Sequence, residues 1–108
     1  MIKVMLSLDL TNENGNRADL YKYLELAGWE KVQNVDTVWL KDFSNYTSTT
    51  EYNLSQIKNE IATPLVNAYK ELKLDRIYYV AQIGNTTAIS RVIEVRKGQL
   101  GAYPQELF

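Results

Sequence analysis

Met1-Ile-Lys-Val-Met-Leu-Ser-Leu-Asp-Leu10 is the stretch whose reading decides the fold. Ile2, Val4, Leu6, Leu8 and Leu10 alternate with Lys3, Met5, Ser7 and Asp9. Successive side chains of a strand point to opposite faces, so this period of two predicts a strand with one strongly apolar face, in the middle of a sheet. Asp9 stands near its C-terminal end, before the polar turn Thr11-Asn-Glu-Asn-Gly-Asn16. Small α+β proteins often place chemistry at such a strand end. A carboxylate there also caps the backbone that follows, and both readings stay open.

Working outward, Asn16-Arg-Ala-Asp19 has the form of a capping box, and Leu20, Leu24 and Ala27 recur at helical spacing. Gly28 suits the C′ position, so the first helix is predicted from Arg17 to Ala27. Glu30 to Phe43 is rich in β-formers and reads as one bent strand or as a hairpin turning near Asn34 to Asp36. Ser44 to Thr50 is a polar loop. A second capping box, Asn53-Leu-Ser-Gln56, and the stripe Leu54, Ile57, Ile61, Leu65, Tyr69 and Leu72 predict a helix from Leu54 to about Lys73. Pro64 inside it is expected to bend or break it. Asp75 to Ile83 and Ala88 to Arg96 read as strands around the turn Gly84-Asn-Thr-Thr87.

The order predicts an α+β fold of ferredoxin-like βαββαβ type with an additional C-terminal strand, two helices covering one face of a mainly antiparallel sheet. Residues 1–97 form this domain. Residues 98–108 are an apolar tail, loosened by Gly98 and Gly101, that docks on its own domain or on a dimer partner.

The 108 residues suffice for one domain, and 45% hydrophobic with 23% charged residues argues against global disorder. The chain has no cysteine and no histidine. Disulfides, thiolate or imidazole zinc sites and serine–histidine dyads are therefore excluded. Acid–base work falls to Asp, Glu, Lys or Tyr, and a metal would be held through oxygen, as magnesium or manganese prefer. A net charge of −1 lacks the basic excess of a strong non-specific nucleic-acid binder. No signal-peptide pattern and no apolar run near the ~20 residues of a membrane span occurs, so a soluble, cytoplasmic protein is expected.

Asp9, the polar turn, Arg17, Gly28, Val32-Gln33 and Thr37-Val38-Trp39 together resemble the CRISPR-associated Cas2 family and its relatives, the VapD-type toxins and the GhoS-type antitoxin. The motif likeness covers about the first 43 residues. Leu8 stands where an aromatic usually precedes the family's Asp, and Thr37 where the family has Ser. The resemblance implies a ferredoxin-like homodimer in which sheets pack together. In several members it implies a magnesium-dependent endonuclease with the strand-end Asp of each protomer facing the other; other members bind nucleic acid without cleaving it.

Asp9 is thus the candidate catalytic residue and metal ligand, since two symmetry-related carboxylates would share a magnesium ion. Arg17 beside a helix N-terminus, and the strand-edge cations Arg91, Arg96 and Lys97, are candidate phosphate contacts. The bland alternatives are a solvated or carboxylate-paired Arg17 and a charged edge that resists aggregation. Trp39 is read as an anchor of the core or of a dimer interface, with Tyr103, Leu107 and Phe108 of the tail as further interface residues. Two functions follow: a Cas2-like protein acting on RNA or DNA, as a magnesium-dependent endoribonuclease, or a non-catalytic dimeric binding or regulatory module.

Overall fold

The computed structural model describes residues 2–11, 17–33 and 37–106. The chain runs β1 (Ile2–Thr11), α1 (Arg17–Leu26), β2 (Glu30–Lys31), β3 (Val38–Phe43), α2 (Glu51–Leu72), β4 (Arg76–Ile83), β5 (Ile89–Arg96) and β6 (Gln99–Pro104). The six strands form one antiparallel sheet in the order β2-β3-β1-β4-β5-β6, an α+β arrangement compatible with a ferredoxin-like sandwich. The alternation in β1 has its expected consequence: Ile2, Val4, Leu6, Leu8 and Leu10 are all buried. They join Leu20 and Leu24 of α1 with Ile57, Ile61, Leu65 and Ala68 of α2 in one core that also takes in Trp39, Phe43, Ile77, Tyr79, Ala81, Ile83 and Ile93. Each large side chain so covered contributes roughly 1.5–3 kcal/mol.

α1 ends as its Gly28 predicts. Gly28 has φ +92°, its N–H bonds the Glu25 carbonyl at 3.0 Å, and the Trp29 N–H bonds the Leu24 carbonyl at 3.0 Å, a Schellman closure. Lys41 Nζ adds a bond to the Ala27 carbonyl at 2.5 Å, from the helix-facing side of β3. Residues 12–16, with the expected cap Asn16, lie outside the described residues.

α2 begins three residues before its expected start. Thr50, not Asn53, is its N-cap, accepting the Asn53 N–H on Oγ1 at 3.2 Å. Of the bend or break expected at Pro64, the break does not occur: the helix continues through the proline, with its apolar stripe buried on both sides of it. Lys73 closes it in the left-handed region at φ 53°.

The extended segment is a hairpin, with β2 pairing β3 through Glu30–Leu40 and Lys31–Trp39. Residues 34–36 of its connection lie outside the described residues. The expected tail is different in kind: Gln99–Pro104 is a sixth strand paired with β5 of the same chain. Lys97 (φ 51°) and Gly98 (φ 79°) make the tight turn that permits it, so Gly98 directs the chain rather than loosening it. Leu107 and Phe108 lie outside the described residues. No helix among the described residues is long and apolar enough to cross a membrane.

Candidate functional site

Both helices cover the same sheet face, and among the described residues no helix covers the other, here called the bare face. Strand alternation assigns Lys3, Met5, Ser7 and Asp9 to that bare face, and the register sets their neighbours. Met5 lies between Leu40 and Gln82, Ser7 between Val38 and Val80, and Asp9 opposite Tyr78. Val92 continues the last row between Tyr78 and Tyr103 and is only 1% exposed, although it belongs to no helix-side core. Tyr78 and Tyr103 flank it on this face. Met5, by contrast, is 50% exposed. The bare face therefore carries an apolar strip from β3 to β6.

Asp9 stands at one end of this strip. It is exposed and lines a shallow hollow of about 310 Å³ together with Ser7, Thr37, Tyr78 and Val80. The hollow forms where β1 and β3 begin to part; the Leu8 N–H still reaches the Thr37 carbonyl at 3.1 Å. Among the described residues Asp9 makes no ion pair and accepts no hydrogen bond. The oxygen donors here, a carboxylate with Ser7 and Thr37 beside it, suit a hard divalent cation by type. One carboxylate is too few to hold it, and among the described residues no three acidic groups cluster as a metal site.

Farther along the same face is a charged corner. Glu94 takes Arg76 Nε at 3.1 Å on one oxygen and Arg96 Nε at 2.6 Å on the other. Arg96 also donates to Gln105 Oε1 at 3.2 Å and lies 4.8 Å from the Tyr103 ring centroid. Tyr103 leans over Gly101, whose missing Cβ leaves room for the ring, and donates its hydroxyl to the Gln99 carbonyl at 2.6 Å. The Arg76 charge is held more firmly than usual, first by its hydrogen bond with Tyr78 and then by Glu94.

The cations expected to contact phosphate are not brought together. Arg17 opens α1 with Nη1 3.5 Å from the Tyr21 hydroxyl. Arg91 lies on the helix-facing side of β5, opposite Tyr79. Arg96 is on the bare face beside Glu94, and Lys97 sits in the β5–β6 turn. Trp39 is fully buried on the helix side, edge-on to Tyr21 at 4.9 Å, and so anchors the core. Tyr103 lies half-buried on the bare face. The sequence reading passed over Met5, Arg76, Tyr78 and Val80. Their parity relative to Asp9 would have placed them on its face once the strand pairing was known.

Two other tyrosines are structural. Tyr23 donates to Glu71 and ties α1 to α2, and Tyr46 donates to Glu60 at 2.7 Å and ties the 44–50 loop to α2. Each hydrogen bond to a carboxylate raises the phenol's pKa above its ordinary value.

Comparison with protein-family models, curated proteins and solved structures finds no match, so the site has to be read from its own chemistry.

Proposed function

We propose that this chain is a Cas2-like protein of ferredoxin-like topology that acts on nucleic acid as a homodimer closing over the bare sheet face. Its strand order β2-β3-β1-β4, with β5 and β6 appended, supports that topology. The observation that carries the reading is Asp9: an exposed carboxylate with no partner among the described residues, on the face that also exposes Met5. An isologous interface over this face would bring two copies of Asp9 toward one two-fold axis. Asp9 of each protomer would then hold magnesium, with Ser7 and Thr37 beside it, for endoribonuclease chemistry. Bound magnesium supplies an activated water and polarises a phosphoryl oxygen. The chain's own part is to present the carboxylates and to exclude bulk water with the apolar strip.

A second reading is a non-catalytic dimeric binding or regulatory module. It is favoured by the engagement of Arg76 and Arg96 with Glu94 and by the placement of Arg91 on the opposite face, which leaves no continuous phosphate track among these three.

The test is a ribonuclease assay with magnesium, comparing wild type with Asp9→Asn at matched circular dichroism. Loss of at least about a hundredfold in rate supports Asp9 as ligand. Cleavage that survives the substitution removes it from the chemistry. Nucleic-acid or protein binding without cleavage under any divalent ion selects the second reading.

A further inference from the structure

On the other side of the sheet, α2 and β5 flank an open hollow of about 480 Å³ that the Asp9 site does not use. Glu51, Leu54, Ser55, Lys58 and Asn59 line it from the first turns of α2, and Arg91 lines it from β5. The α2 residues recur at helical spacing, so one helix face supplies them all. Arg91 and Lys58 are both half-buried, and neither is in an ion pair among the described residues. Two cations kept together without a paired carboxylate repel each other, which costs stability unless something anionic joins them. Glu51, the one acid in the wall, is exposed at the rim.

Arg91 pairs in register with a buried tyrosine. Its cross-strand neighbour Tyr79 is 1% exposed, and the Tyr79 hydroxyl has no hydrogen-bond partner of proper geometry. Burial raises the Tyr79 pKa, and the neighbouring Arg91 charge only partly opposes that rise. Arg91 stands beside this buried phenol in the sheet and lines the hollow.

We propose that this hollow binds a small molecule through a phosphate monoester group, with Arg91 and Lys58 neutralising the dianion and Ser55 and Asn59 donating hydrogen bonds. An arginine fork matches the phosphate oxygens, and the lysine adds a second charge that a monocarboxylate does not need. The volume exceeds that of the ion and falls within the ~300–1,000 Å³ of small-molecule sites, with Leu54 offering apolar wall to the ester's body.

The experiment is a titration followed by nitrogen–proton NMR of the backbone and of the Arg91 Nε–H. The probes are inorganic phosphate, phenyl phosphate, acetate, and sodium chloride at matched ionic strength. The expected result is saturable shifts confined to residues 51–59 and Arg91, tighter for phenyl phosphate than for inorganic phosphate and absent with chloride. Arg91→Gln and Lys58→Gln each weaken binding about tenfold or more, and Glu51→Gln tightens it. Asp9→Asn, on the opposite face, leaves binding unchanged, so failure here is separable from failure of the ribonuclease reading. Shifts scattered over the surface, reproduced by chloride, as strong with acetate, or retained in Arg91→Gln with an intact spectrum overturn the proposal. Because Glu51→Gln is expected to gain affinity at an exposed position, its effect cannot arise from damage to the fold.

Discussion

Met5→Glu tests the role of the bare face most directly. Met5 is 50% exposed, so about half of its side chain is still in contact with water in the single chain. Full burial of a methionine is worth roughly 1.5–3 kcal/mol, so covering the remaining half contributes about 0.8–1.5 kcal/mol. An isologous interface contains the residue twice, giving about 1.5–3 kcal/mol per dimer. That corresponds to a roughly tenfold to 150-fold rise in the dimer Kd. It is a lower bound, because two carboxylates placed in an apolar contact add desolvation and mutual repulsion. Within the single chain, the same change sits at a half-exposed position between Leu40 and Gln82 and costs about 0.5 kcal/mol or less. Sedimentation equilibrium over a concentration series gives the Kd, and urea unfolding in the dilute, monomeric regime gives the stability of the fold. A wild-type chain that stays monomeric throughout, or a dimer whose Kd ignores the substitution, refutes the assignment of this face as the interface.

Two further predictions concern the fold. Tyr79→Phe removes a buried hydroxyl without a hydrogen-bond partner, so at neutral pH the variant is as stable as wild type or up to about 1 kcal/mol more stable by urea unfolding. Burial raises the Tyr79 pKa, only partly opposed by Arg91. Above about pH 10 the unfolded chain therefore releases the Tyr79 proton before the folded one, and wild type loses stability with rising pH until the folded pKa is passed, a loss the Phe variant lacks. A deficit of 1 kcal/mol or more at neutral pH would mean that the hydroxyl is satisfied. Thr50→Ala removes the α2 cap on the Asn53 N–H and is expected to cost about 1 kcal/mol in chemical denaturation, whereas Asn53→Ala retains that backbone bond and loses only the side-chain contacts to Ser48. Equal effects at the two positions would contradict the cap assignment.

Much of the fold is legible locally. The alternation of β1, the helix-closing Gly28 and the stripe of α2 each depend on residues a few positions apart, and their physics acts at that range. Where reading and structure part, a competing partner decided. Asn53 and Thr50 are both good caps, and the choice went to the one that lets Glu51 and Tyr52 join the helix. Residues 98–108 read as a loose tail because Gly98 and Gly101 weaken strand propensity, yet Gly98 supplies the positive φ of the turn and Tyr103 fills the space above Gly101. Of the candidate site, Asp9 was legible as a carboxylate at a strand end. Its neighbours were not, since Tyr78 is 69 positions away in the chain (78 − 9) and meets it only through the β1–β4 register.

The sequence by itself determined which chemistry is open to this protein: without histidine or cysteine, acid–base work falls to Asp, Glu, Lys or Tyr and any metal to oxygen ligands. It also determined that one face of β1 would be buried, because side-chain alternation is a property of the backbone alone. Only the tertiary structure decided what shares a face with Asp9, and that Arg91 and Arg96, five positions apart, point to opposite sides of the sheet (96 − 91). The reason is that parity within a strand is local, whereas register between strands is set by the burial of whole apolar faces against the helices.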